Sequence, residues 1–197
     1  MAALCVSIDG IMIATVCLDE YDVVSAGAHG TRIDEEVAHV DFSGGAYPKD
    51  GESKYVFWLN ELTLAVGQTL DIAFFENGST SYPGKTIEEL YPDEQAEAPT
   101  DFKPKAEALA EIRAMPKLRT GYSFQCDTSS GSSYRGQTAP EDHGFSFSAL
   151  WDSTRPEQAR VSLHSYTLEA LETEGPLNYH LREKLSFGDS VRFGITA

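Results

Sequence analysis

Apolar and polar residues alternate from Leu4 to Ile8, break at Asp9-Gly10, and resume as a run apolar on both faces, with Ile11 and Ile13 on one side and Met12, Ala14 and Val16 on the other. That pattern predicts a hairpin with a two-residue turn that feeds a central strand. With Asp9-Gly10 as the turn, Ile8 faces Ile11 and Cys5 faces Ala14, which sends Cys17 past Cys5's partner and onto the opposite sheet face. The acidic turn Asp19-Glu20-Tyr21-Asp22 follows. Further strands are predicted over residues 23–28, 37–42, 55–59 and 70–74, rich in the β-branched and aromatic residues that suit a pleated, half-buried surface.

The pattern changes over residues 78–119. Gly78-Ser79-Thr80-Ser81-Tyr82-Pro83-Gly84 reads as a loop, residues 87–90 as a short helix, and residues 91–103 as an acidic stretch carrying Pro92 and Pro99. The best helix signal spans residues 104–115: Pro104 opens it, strong helix formers fill it, and Pro116 stops it. Leu109, Ile112 and Met115 give this helix one apolar edge, which predicts docking on a sheet.

Strand patterns then restart at residues 122–126, 132–135, 145–149, 160–165 and 191–196, in an order that echoes the first half. The closest correspondence sets Leu64-Ala65-Val66-Gly67-Gln68-Thr69-Leu70-Asp71-Ile72 beside Leu185-Ser186-Phe187-Gly188-Asp189-Ser190-Val191-Arg192-Phe193. A second aligns Gly30 with Gly136, each ahead of an acidic cluster and a strand, and Cys17 and Cys126 fall near matching places. Between these anchors the offset grows by about 15 residues, assigned to an insertion over residues 168–184 that holds a helical turn or two. The expected fold is mainly β: two diverged β-sandwich-like or half-barrel repeats packed together, with a short helical connector. The boundaries are 1–77 for the first repeat, 78–119 for the connector and 120–197 for the second. Units this small are marginal alone and are expected to share an interface.

Charge sharpens this picture. The chain carries a net −16. Residues 1–80 hold 13 acidic against 3 basic side chains, residues 81–119 hold 8 against 6, and residues 120–197 hold 10 against 6. A field of that sign repels nucleic-acid phosphates and anionic lipid and steers basic partners towards the first repeat. Three cysteines without a CxxC pair fit a reducing compartment, each as a small buried hydrophobe. No secretory signal is legible at the N-terminus and no apolar stretch is long enough to span a bilayer, so the expected location is the cytoplasm.

Candidate chemistry is sparse. Gly84-Lys85-Thr86 follows a strand and opens a helix as a phosphate-binding loop would, but the glycine that loop needs five residues earlier is Ser79. Thr86 and Glu89 fit a capping box instead. Asp34-Glu35-Glu36 and Glu141-Asp142 carry the carboxylates that glycoside hydrolysis or calcium binding requires, without the alternate-residue spacing of a calcium loop. Adjacent charges before a strand read more simply as solvated loop. The five histidines, His29, His39, His143, His164 and His180, are scattered, with no HExxH pair, no zinc-ligand cysteines and no GxSxG elbow. Of the aromatics near loops, Tyr47, Trp58, Tyr82, Tyr91 and Trp151, the first tryptophan reads as core and the second divides between core and interface.

Sequence reasoning therefore expects a non-enzymatic acidic protein-binding module, of the bacterial immunity or antitoxin type, that captures a basic protein such as a toxin or effector. Its expected contact residues are Asp19, Glu20, Asp22, Asp34, Glu35, Glu36 and Trp151, with no catalytic residue, metal or cofactor and with neither nucleic acid nor membrane as partner. Two alternatives stand beside it: a carbohydrate- or ligand-binding, or hydrolytic, β-sandwich using the acidic clusters and loop aromatics, and a structural subunit of a larger assembly.

Overall fold

A computed structural model describes residues 1–93 and 105–196. The first half forms β1 (Ala3–Ile8), β2 (Ile11–Cys17), β3 (Val23–Thr31), β4 (Ala38–Ala46), β5 (Lys54–Leu64) and β6 (Thr69–Phe75). Two helices follow, α1 (Ile87–Leu90) and α2 (Lys105–Ala114). The second half forms β7 (Ser123–Thr128), β8 (Ser133–Gln137), β9 (Gly144–Asp152), β10 (Gln158–Tyr166), α3 (Leu168–Thr173), β11 (Asn178–Ser186) and β12 (Ser190–Thr196). All pairing is antiparallel, in two six-stranded sheets ordered β2-β1-β6-β12-β7-β8 and β11-β10-β9-β3-β4-β5. The architecture is a mainly-β sandwich with a few short helices.

The two halves are interleaved. Each contributes three strands to each sheet, and they meet at β6–β12 in one and β3–β9 in the other. Gly27 stands opposite Ser148, and Asp71 opposite Arg192, so at both seams facing residues lie 121 positions apart in sequence. An approximate two-fold axis through these two pairs exchanges the halves. The same spacing holds away from the axis, where the pair Ala38 and Leu64 in β4–β5 corresponds to Ala159 and Leu185 in β10–β11. Gly67 and Gly188 occupy the matching turns, both left-handed with φ of 87° and 89°, a conformation that favours glycine.

This spacing corrects parts of the sequence reading. Gly30 lies in β3 and Gly136 in β8, so they are not equivalent, and Cys126 of β7 corresponds to Val6 of β1 rather than to Cys17. There is no 15-residue insertion. Residues 168–184 hold the short helix α3 and then most of β11, a strand whose alternation is blurred by the helix formers Leu181, Arg182, Glu183 and Lys184. In the first hairpin Ile8 does face Ile11, but the register shifts between Val6 and Ser7 and places Cys5 opposite Thr15. Cys5 and Cys17 thus share the outer face, both free and half-buried, and only Cys126 is fully buried.

One core fills the space between the sheets, and both halves supply it. In the second half Phe124 and Phe193 of one sheet meet Phe145 and Phe147 of the other, and Phe193 stacks on Phe147 at 4.5 Å. In the first half Phe42, Trp58 and Phe74 are the large buried aromatics. Helix α1 carries the expected capping box of Thr86 and Glu89. The main packing contact of helix α2 is with α3, to which an Arg113–Glu172 ion pair joins it, rather than with a sheet; Met115 stays exposed, while Pro99 and Pro104 lie outside the described residues. Among the described residues no helix is long and apolar enough to cross a membrane.

Candidate functional site

The predicted contact residues separate. Asp19, Glu20 and Asp22 sit in the β2–β3 turn, and Asp34, Glu35 and Glu36 in the β3–β4 loop, at opposite ends of the nine-residue strand β3. At about 3.3 Å per residue those ends lie roughly 27 Å apart. Asp22 also ties loops together: its carboxylate accepts from Tyr47 N–H at 2.6 Å and from the Ser153 hydroxyl at 3.3 Å. Trp151 is core, 4% exposed, with its indole N–H donated to the Pro156 carbonyl at 3.1 Å. It presents no surface to a partner.

What the fold does bring together is the pair of acidic clusters. The β3–β4 and β8–β9 loops lie side by side, because β3 and β9 are neighbours and Thr31 faces Gly144. Arg32, 3% exposed, fastens them: its N–H donates to the His143 carbonyl at 2.9 Å, and its guanidinium to the Pro140 and Ala139 carbonyls at 2.6 and 2.7 Å. Arg119 adds bonds to the Thr31 and Glu35 carbonyls. Within each loop an aspartate closes a tight turn. Asp34 accepts from Thr31 N–H at 2.9 Å and Asp142 from Ala139 N–H at 2.7 Å, each carboxylate reaching three residues back to a backbone donor.

Those two carboxylates are occupied within the fold. Glu35, Glu36 and Glu141 are not: all three are exposed, and their carboxylates have no hydrogen-bond or ion-pair partner among the described residues. The result is three free glutamates on loops held rigid from beneath. Arg32→Lys is expected to lower stability by about 2 kcal/mol, because one ammonium cannot reproduce the planar two-carbonyl contact. Urea denaturation measures it; an unchanged midpoint would remove Arg32 as the fastener.

Beneath the second loop runs a polar chain. Ser165, fully buried, donates its hydroxyl proton to Asp142 Oδ2 at 2.6 Å and receives His180 Nε2 at 2.9 Å. Since that hydroxyl has one proton and gives it to the carboxylate, His180 must carry its hydrogen on Nε2, leaving Nδ1 to accept from Tyr134 at 3.0 Å. Serine, histidine and aspartate meet here in the wrong order for nucleophile activation, which needs the histidine between the other two. The serine also reaches no solvent. The chain braces the loop.

Burial holds His143, His164 and His180 below the ordinary histidine value of 6.5, while the hydrogen bond that His29 donates to the Asp41 carboxylate raises His29. The first three favour the neutral form on folding, so their contribution is complete above 6.5 and lost as pH falls below it. His29 contributes in the opposite sense, present below 6.5 and lost as pH rises through its raised value. Three against one predicts a melting temperature that falls between about pH 6.5 and 5. His143→Gln with His180→Gln should flatten that fall, and a melting temperature constant across the window would contradict it.

Sequence reasoning missed one alignment. Strand register sets His39, His29, Ser146, His164 and Tyr179 in a single row across the outer face of the second sheet. Alternation marks each as outward-facing, but only the pairing of β3 with β9 joins the halves of the row. Among the described residues no group of histidines, cysteines or carboxylates could hold a metal ion. Comparison with family models, with curated proteins and with solved structures gives no match.

Proposed function

We propose that this protein is a non-enzymatic binding module of the immunity or antitoxin type, acting in the cytoplasm, whose acidic loop end captures a basic protein partner. The observation that carries this reading is the set of free carboxylates Glu35, Glu36 and Glu141 on the two loops fastened by Arg32 and Arg119. Rigid loops bind with little loss of conformational freedom, and unpaired carboxylates leave their field available to an approaching cation. The chain's net −16 raises the encounter rate with basic partners and lowers it with nucleic acid. Asp34 and Asp142 support the surface from within, and Asp19 and Glu20 belong to the far end.

Affinity capture from the native host with the wild-type chain, beside a Glu35→Lys, Glu36→Lys, Glu141→Lys variant, tests it. The wild type should retain a basic protein that the variant loses, with affinity dropping at least about tenfold as salt rises from 0.05 to 0.3 M. Recovery of no partner, or of one indifferent to salt, would sink the reading.

A further inference from the structure

The two sides of the sandwich are closed differently. On the first side the chain leaving β6 runs back over the edges of its own half. Ser81 N–H donates to the Thr15 carbonyl and Thr15 N–H to Ser81 Oγ, both at 2.9 Å, and Cys17 N–H donates to Thr80 Oγ1 at 3.0 Å, all along β2. Lys85 then exchanges two antiparallel backbone bonds with Phe57 of β5, at 2.8 and 2.9 Å. On the other side nothing among the described residues pairs with the outer edge of β11.

The approximate two-fold shows what that edge presents. Phe57 pairs with Ser43 past two register shifts in β4–β5, and Tyr179 pairs with His164, the residue equivalent to Ser43, past a single shift in β10–β11. Phe57 aims its N–H and C=O away from the sheet towards Lys85. Tyr179 therefore aims the same two groups outward, and it is 46% exposed.

We propose that the outer edge of β11 takes up one extended, acidic strand of a partner protein, antiparallel, as β5 takes up the segment around Lys85. The acidic character follows from the side chains. Arg182 and Lys184 are exposed on β11 and have no carboxylate partner among the described residues; Arg160, directly opposite Lys184, is already paired with Asp152 at 3.1 Å. Arg182 is held with its guanidinium 4.6 Å from the Tyr179 ring centre. These cations border a groove of about 760 Å³ floored by Ser148 and Ser162. The neighbouring carboxylates are occupied, Glu183 by the Ser132 hydroxyl and Asp189 by Ser186 N–H and the Ser129 hydroxyl. A second copy adding β11 to β11 would bring cations towards cations, whereas alternate carboxylates on a foreign strand would match them.

The proposal uses none of the residues of the acidic loop end. Its probe is a capped nine-residue synthetic peptide of alternating glutamate and valine, titrated into the isotope-labelled full chain. Amide exchange at Tyr179 should slow by at least about tenfold, and affinity should fall about tenfold for Arg182→Glu with Lys184→Glu and for a lysine-for-glutamate peptide. A backbone N-methylated peptide should not bind, an arm that decides the matter even if the charge variant fails to fold. The Glu35, Glu36, Glu141 reversal should leave peptide binding unchanged. Absence of binding at millimolar peptide would overturn the proposal and leave Arg182 and Lys184 as charges that keep an open edge from pairing. Binding without protection at Tyr179, or binding equal in the charge variant, would overturn it too.

Discussion

Gly27→Ala is expected to lower stability by about 3 kcal/mol or more, enough to leave a marginal fold largely unfolded. The reason is steric and local. A Cβ at position 27 would stand 2.1 Å from the Phe147 carbonyl oxygen and 2.9 Å from Ser148 Cα. Both are backbone atoms, which cannot rotate aside as the end of a long side chain can, so β3 and β9 would have to part. They form the seam of one sheet, at the point where Gly27 faces Ser148 on the two-fold axis. Urea denaturation measures the loss; a midpoint within a few tenths of molar of the wild type would mean that β3 and β9 do not approach at this register.

Phe193→Ala should cost about 3–5 kcal/mol, the range for deleting a buried aromatic ring. Phe193 is fully buried, stacked on Phe147 with ring planes 8° apart, and its ring centre lies 5.8 Å from those of Phe124 and Phe145. Neighbours contributed by both sheets cannot all collapse into the void. Ile72, which faces Val191 on the adjoining strand and occupies the place corresponding to Phe193 in the first half, offers the contrast. Ile72→Val removes one methylene and should cost only about 0.5–1.5 kcal/mol. Equal losses for the two variants would contradict a core whose aromatic weight at this level lies in the second half.

These effects sit at places only partly legible in the sequence. Alternation located most strands, and the Gly67 and Gly188 turns revealed the correct spacing of the halves. Topology was not legible, because nothing in the composition of β6 or β12 says that each will pair with the other across 121 residues. β11 was misread because its side chains favour helices in isolation and become a strand only by pairing with β10. For the candidate site, acidity pointed to Asp34, Glu35 and Glu36, but tertiary contacts divide them: Asp34 turns inward to its own backbone and the glutamates remain outside. The approach of Glu141 to that group depends on Arg32 reaching 107 and 108 residues along the chain, which no local pattern encodes.

The interleaving of the halves has a consequence for how the chain is made. When the ribosome has released residues 1–93, β6 and β3 are each an unpaired edge whose permanent neighbours, β12 and β9, are still to come. β12 emerges after the other eleven strands described, so completion of the first sheet waits until residues 190–196 have been made. During that interval the nascent half exposes two edges ready to pair with another nascent copy. Ribosome spacing and chaperone occupancy, alongside the stability of the finished sandwich, should then influence how much of the protein reaches its native state in a cell.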